Sequence, residues 1–171
     1  MRLLETFLKA QKRDLIEKKI RLRVAGRLEE MPKRVARLLR ETIEATQHFD
    51  HWNLTLALNY GSRTEVLDAV RKYAQALQAG TEDLGKLNWD CFAGYLYTAG
   101  MPDPDLVIRT SGEFRISNFL LMQSAYAEYY FAREFWPDFG PDCFRQAIEN
   151  YMARERRFGL TGDQLKNQDL S

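Results

Sequence analysis

The sequence predicts an α/β domain, a single layered unit whose mostly parallel central sheet is flanked by helices. Three observations carry that prediction. Strand-like runs at 20–24, 54–60, 105–109 and 129–131 alternate with longer stretches of helical periodicity. The runs at 54–60 and 105–109 are largely apolar, as parallel strands covered on both faces should be. The length of 171 residues, with 45% hydrophobic and 29% charged content, suits one globular domain.

The first element is an amphipathic helix from Leu3 to Lys18. Leu3, Leu4, Phe7, Leu8 and Leu15 recur at helical spacing, while Lys9, Lys12, Arg13 and Lys18 fill the other face. Ile20-Arg21-Leu22-Arg23-Val24 alternates as a strand, with its two arginines facing solvent. Pro32 suits the first turn of a second helix carrying Val35, Leu38, Leu39 and Ile43. Leu54 to Tyr60 reads as a central strand that Gly61 ends. Ser62 and Glu65 have capping-box spacing for a third helix, and Gly80 is its natural stop. Asn88 caps a short helix containing Phe92, Tyr95 and Leu96. Pro102 and Pro104 keep the chain extended into the strand that ends at Arg109. Ser117 or Asn118 begins a further helix through Ala125, Tyr129 to Phe131 form the last strand, and Trp136-Pro137 is a turn. A closing helix runs from Pro141 to Arg157, and the polar tail after Gly159 frays.

Composition narrows the functional classes. Lys plus Arg total 25 against 24 for Asp plus Glu, a formal net charge of +1, so there is no basic excess of the kind a nucleic-acid binder shows. Cys91 and Cys143 are too few for a disulfide scaffold or a zinc site. No apolar run approaches the ~18 residues of a membrane span, and the N-terminus is not a signal peptide. The expectation is a soluble intracellular domain without nucleic-acid partners.

Two strand exits carry chemistry, where ligands of parallel sheets bind. At Asn59-Tyr60-Gly61-Ser62-Arg63, Arg63 opposes the dipole of the helix it opens. A bound anion would resolve the conflict, and an ordinary turn with a surface arginine is the plainer alternative. The second exit, Arg109-Thr110-Ser111-Gly112-Glu113-Phe114-Arg115-Ile116-Ser117-Asn118, is denser. Arg109 and Arg115 offer planar forks that match phosphate oxygens, Ser117 adds a hydroxyl, and the helix start would add N–H groups. A compact diphosphate fits this composition, and pairing of the arginines with Glu113 or Asp105 is the structural alternative. Glu128 lies among Tyr126, Ala127, Tyr129 and Tyr130, so its carboxylate must be paired, protonated or metal-bound. Magnesium needs only one or two carboxylates beside phosphate oxygens. His48 and His51 lack ligand spacing and read as a solvated loop.

Together these segments resemble the cis-prenyltransferases, whose best-known members are the undecaprenyl diphosphate synthases. The matching text is 56–63, 103–113, 115–119, 126–128, 135–139 and 154–159, in order and at family-like spacing over residues 1 to 159. The resemblance implies condensation of isopentenyl diphosphate with an allylic diphosphate by cis addition. It assigns the isopentenyl diphosphate headgroup to Arg109, Arg115 and Ser117, with Ile116 lining the site, and makes Glu128 a magnesium ligand. Arg157 and Gly159 match the C-terminal R-x-G motif, which in the family reaches across a homodimer to the same diphosphate.

The sequence also departs from the family. It contains neither the aspartate-rich D-G-N-G-R-W motif, which anchors magnesium and the allylic diphosphate, nor an S-x-E-N-W-like motif. The expectation is therefore the C-terminal two-thirds of a cis-prenyltransferase domain over 1–159, without the first family strands, and a polar tail over 160–171. Such a chain keeps the isopentenyl half-site and is inactive alone. The rival expectation is a noncatalytic partner that forms a heterodimer with a complete synthase, and a third is a swapped fragment joined through its exposed edge. By family habit the protein is cytoplasmic and works at the membrane surface.

Overall fold

The computed structural model describes residues 2–154. Its elements, in order, are α1 (Arg2–Glu17), β1 (Ile20–Ala25), α2 (Lys33–Thr46), β2 (Trp52–Ala57), α3 (Ser62–Gln78), α4 (Trp89–Ala93), β3 (Leu106–Arg109), β4 (Glu128–Phe131) and α5 (Pro141–Met152). The chain divides into two compact units, Met1–Met101 and Pro102–Ser171. Both pairs of strands are parallel, β1 with β2 in the first unit and β3 with β4 in the second.

In the first unit, α1 and α2 pack on one face of the β1–β2 pair. Leu8 and Leu15 from α1, Leu22 from β1, and Val35, Ala36 and Leu39 from α2 form one buried cluster. Ile20, Val24, Leu54 and Leu56 pack against it from the strands. The spacing of these residues is the helical and strand periodicity read from the sequence, so the core face was foreseeable. The other face differs from expectation. β2 starts at Trp52 and ends at Ala57, and Asn53, Thr55 and Ala57 are exposed. Arg23 does not simply end in solvent, because its guanidinium donates to the carbonyls of Ala99 (2.8 Å) and Gly100 (3.1 Å). Burial and then the neighbouring Arg21 hold its pKa below the usual arginine value.

Gly26 ends β1 in the left-handed region at φ 128°, where a Cβ would overlap the Leu58 carbonyl oxygen. Thr46, at the far end of α2, is fully buried. Its hydroxyl donates to the Thr42 carbonyl (2.8 Å) and accepts the Leu22 N–H (3.0 Å), which ties β1 to the helix that follows it. The N-terminus of α3 also departs from its expected cap. The cap residue is Gly61, and Ser62 is already helical. Glu65 is buried and accepts from the Tyr60 hydroxyl (2.5 Å) and the Tyr97 N–H (2.9 Å). One turn on, Asp68 takes a two-pronged contact from Arg27 at 2.8 and 2.9 Å and a hydrogen bond from the Tyr97 hydroxyl. Gly80, at φ 71°, stops α3 as the sequence indicates, and the Asn88 side chain caps α4 by accepting the Cys91 N–H at 2.9 Å.

In the second unit, Leu106 pairs with Glu128 and Arg109 with Phe131 across the ladder. The expected helix from Ser117 or Asn118 to Ala125 is absent, and the segment is a run of turns. Ser117, Asn118 and Leu120 have φ of 53°, 62° and 47°. Three left-handed residues in four break the repeating i to i−4 ladder that a helix needs. The closing helix ends at Met152 with Ala153 as its cap, and the expected extension to Arg157 passes outside the described residues.

Replacing Thr46 by Val leaves the Leu22 N–H without its acceptor. It should lower the stability of the chain in urea by about 1–3 kcal/mol, with Thr46→Ser keeping most of it. Acid should act through Asp68, whose carboxyl is held well below the usual range by Arg27 first and Tyr97 second. A depressed folded-state pKa adds stability that is present above pH ~4 and is lost as pH falls below that unfolded value. Thermal melts from pH 7 to pH 2 should show that acid limb in the native chain and a shallower one in Asp68→Asn.

Candidate anion site at the end of strand β3

Strand β3 brings Arg109 to its C-terminal end, and the chain then turns back on itself. The Ser111 N–H donates to the Glu134 carbonyl (2.7 Å) and the Gly112 N–H to the Ala132 carbonyl (2.9 Å), which pins this turn to the extension of β4. Ser111 and Gly112 accommodate it with φ of 71° and 62°. The following residues return alongside the strand, so that Ser117 reaches Arg109. Arg109 Nη1 donates to Ser117 Oγ at 3.0 Å. Left-handed backbone at Ser117, which prevents a helix there, is part of this same turn.

A pocket of about 170 Å³ opens at this point. Arg109, Arg115 and Ser117 supply its polar groups, and Val107, Ile116, Phe119, Tyr129 and Phe131 line its apolar wall. The rings of Tyr129 and Phe131 stack at an interplanar angle of 12°, and the Tyr129 hydroxyl donates to Ser124 Oγ (2.8 Å), which fixes that wall. Arg115 is ion-paired with Glu113, so its guanidinium already carries a carboxylate where a phosphate oxygen would bind. The structural alternative foreseen for the arginines thus holds for Arg115 with Glu113. For Arg109 the partner is the serine hydroxyl, a group that adds no negative charge and leaves the cation uncompensated by it. Two guanidinium groups and a hydroxyl around a small pocket with an apolar wall suit an anionic headgroup joined to a short hydrocarbon.

The remaining sequence-derived residues fall elsewhere. Arg63 is exposed in the first turn of α3, in the first unit. Arg157 and Gly159 lie outside the described residues. Glu128 opens β4, and the alternation of side chains along a strand sends it to the face opposite Tyr129 and Phe131. It is therefore turned away from the pocket wall that those two rings build. Its Oε2 accepts from Arg154 Nη1 at 2.7 Å, an ion pair about one-third exposed on both sides. Of the three fates open to this carboxylate, pairing is the one observed.

The chemistry of that donor set bears on magnesium. A single carboxylate that already holds a guanidinium supplies one donor group at most, so a divalent ion there would have to draw its other ligands from water or phosphate. Among the described residues no group of three or more His, Cys, Asp or Glu side chains gathers to enclose one. Sequence reasoning missed Arg154 as the partner of Glu128, because 26 residues separate them and only the packing of α5 on β4 joins them. It also missed the aromatic wall, whose one available signal was the alternation of Tyr129 and Phe131.

Comparisons with known proteins agree with this arrangement. The family model described as "Putative undecaprenyl diphosphate synthase" matches residues 1–159. An isoprenyl transferase of Chlorobaculum tepidum is 44% identical over 170 residues, covering 99% of this chain and 64% of that protein. The ditrans,polycis-undecaprenyl-diphosphate synthase of Micrococcus luteus, specific for (2E,6E)-farnesyl diphosphate, is 42% identical over 93% of this chain and 64% of its own length. This chain thus spans less than two-thirds of these relatives. The crystal structure of lavandulyl diphosphate synthase from Lavandula x intermedia, in complex with dimethylallyl diphosphate, superposes with a TM-score of 0.88 at 31% identity, over 93% of this chain and 69% of that one. From the parallel strand pairs, the arginine-rich exit of β3 and these matches together, the chain belongs to the cis-prenyltransferase family, that of the undecaprenyl diphosphate synthases.

Proposed function

We propose that this chain contributes the isopentenyl diphosphate half-site of a cis-prenyltransferase, the enzyme that lengthens an allylic diphosphate by cis addition. The observation that carries the reading is the Arg109–Ser117 contact at the mouth of a pocket that Arg115 also lines. Arg109 and Ser117 hold the headgroup oxygens by charge-assisted and hydroxyl hydrogen bonds. Arg115 exchanges Glu113 for a phosphate oxygen when the ligand arrives. Ile116, Tyr129 and Phe131 take the five-carbon chain, excluding water from it. Holding the nucleophilic alkene by its diphosphate sets its attack geometry, which is how such a site accelerates a bimolecular condensation.

Family resemblance supports magnesium as the cofactor and Glu128 as one of its ligands, and the ion when bound supplies positive charge to diphosphate oxygens. It likewise supports Arg157 and Gly159 as contributors to a homodimeric site. The other substrate is an allylic diphosphate, and the D-G-N-G-R-W motif that would hold it does not occur in these 171 residues. On that ground these residues bind isopentenyl diphosphate but do not elongate an allylic substrate unaided. A polyprenyl product that partitions into lipid gives the assembled enzyme reason to work at a membrane surface.

Titration calorimetry tests the half-site directly. The purified chain should bind isopentenyl diphosphate, and Arg109→Ala should weaken that binding by about tenfold or more, the worth of a hydrogen bond to a charged group. Equal affinity in the variant would remove Arg109 from the site. Incubation with magnesium, isopentenyl diphosphate and farnesyl diphosphate should yield no polyprenyl product, and its appearance would refute the inactivity.

A further inference from the structure

Charge is unevenly spread along the chain, although its total is nearly zero. Residues 1–40 hold 13 Lys or Arg against five Asp or Glu, and residues 41–171 hold 12 against 19. A net of +8 thus stands against −7, an asymmetry typical of chains that bind a charged surface. In the structure this basic excess comes to the surface on α2. Val35, Ala36 and Leu39 turn one side of the helix into the core, and Lys33, Arg34 and Arg37 lie at i, i+1 and i+4 on the exposed side. Those three cations line an open concavity of about 480 Å³, and no acidic residue shares the first turn. The carboxylates just before the helix are engaged by other arginines, Glu29 by Arg40 (2.5 Å) and Glu30 by Arg27 (2.9 Å). Lys33 makes no side-chain hydrogen bond or ion pair among the described residues. Arg37 has a long pair with Glu41, 3.7 Å apart and well exposed, a contact that holds a guanidinium only weakly.

We propose that the first two turns of α2 are the face on which this chain docks on a bilayer of anionic phospholipids, with phosphate headgroups against Lys33, Arg34 and Arg37. The proposal rests on the reading of the chain as part of an enzyme whose product partitions into lipid, and it adds the surface that meets the membrane. Three like charges around one concavity repel one another, and a plane of negative headgroups relieves that repulsion while attracting each cation. Long lysine and arginine side chains reach such headgroups while the helix backbone stays in water. A bilayer meets one face at a time, and salt screens its field beyond about 8 Å. A single basic face is therefore enough on a chain of near-neutral total charge, whereas a nucleic acid draws its affinity from a wider basic footprint. Glu41 and Glu44, further along α2, set the limit of this face. Attachment of this kind is peripheral, reversible and weakened by salt.

Co-sedimentation of the full chain with lipid vesicles at fixed ionic strength tests the proposal without reference to activity. The chain should bind vesicles of phosphatidylcholine containing about one-third phosphatidylglycerol, and pure phosphatidylcholine about tenfold more weakly or less. Lys33→Glu combined with Arg37→Gln should weaken the binding by about tenfold or more at an unchanged thermal melt, since both side chains are exposed. Lys33→Arg combined with Arg37→Lys should keep it. The same charge removed elsewhere, by Lys86→Glu with Arg145→Gln, should change it by less than about twofold. Absent or equal binding to the two vesicle types, full binding by the first pair, or an equal loss in the distant pair would each overturn the proposal. Release of the chain by millimolar inorganic diphosphate would also overturn it, assigning these cations to a soluble anion. Isopentenyl diphosphate binding should stay native in the first pair, because Arg109, Arg115 and Ser117 line a pocket in the other unit. A failed vesicle result thus leaves the half-site standing, and a failed diphosphate titration of the native chain leaves the vesicle result standing.

Discussion

Side-chain alternation along the β3–β4 pair sorts the charged groups of the second unit into two compartments. Tyr129 and Phe131 build the wall of the Arg109 pocket, and Glu128 is sent to the reverse face. A one-residue shift of β4 against β3 would exchange these faces and put a carboxylate beside the two arginines. The register is fixed by continuous hydrogen bonding on both sides of the ladder, from the Glu128 N–H on the Asp105 carbonyl (2.9 Å) to the Ala132 N–H on the Arg109 carbonyl (2.8 Å). The polar site therefore depends on a backbone constraint that contains no polar side chain.

Arg109, Arg115 and Arg154 of this unit are each held by a different neighbour. Ser117 orients Arg109 without neutralising it, Glu113 neutralises Arg115, and Asn150 aims Arg154. These differences have chemical consequences. An anion arriving at Arg109 would displace a hydroxyl or share it, whereas at Arg115 it would compete with a carboxylate. Binding at the second arginine would thus have to offset the loss of an existing ion pair, leaving Arg109 the larger share of any net attraction.

The first unit solves another problem, that of holding a parallel pair whose helices cover one face. Thr46 uses one hydroxyl to bridge the end of α2 and the Leu22 amide, and Gly26 lets the chain leave β1 against the Leu58 carbonyl. Arg27, immediately after, reaches α3 through Asp68, while Glu65 receives the Tyr97 backbone. Burying Glu65 is tolerable because a phenol and an amide both donate to it. The other face carries Arg21, Arg23, Asn53 and Thr55, a pattern that the leucines of β2 masked in a linear reading.

Much of this was legible from residue order. Leu8, Leu15, Val35 and Leu39 lie at helical spacing and are buried together, because amphipathic periodicity is a local property that packing merely uses. Asn88 and Gly80 punctuate their helices through chemistry confined to a few residues. Arg109, Arg115 and Ser117 were recognisable as one site because they sit within nine residues of one another at a strand exit. The helix expected after Ser117 failed because its propensity lost to a turn that folds Ser117 onto Arg109. The sequence by itself thus determined the α/β class, the core faces and the grouping of Arg109, Arg115 and Ser117 that line one pocket. Only the tertiary structure decided which face Glu128 occupies, that Arg154 is its partner, and that Glu65 serves as an anchor. Those outcomes depend on strand register and on contacts between residues far apart in the chain, which no local pattern encodes.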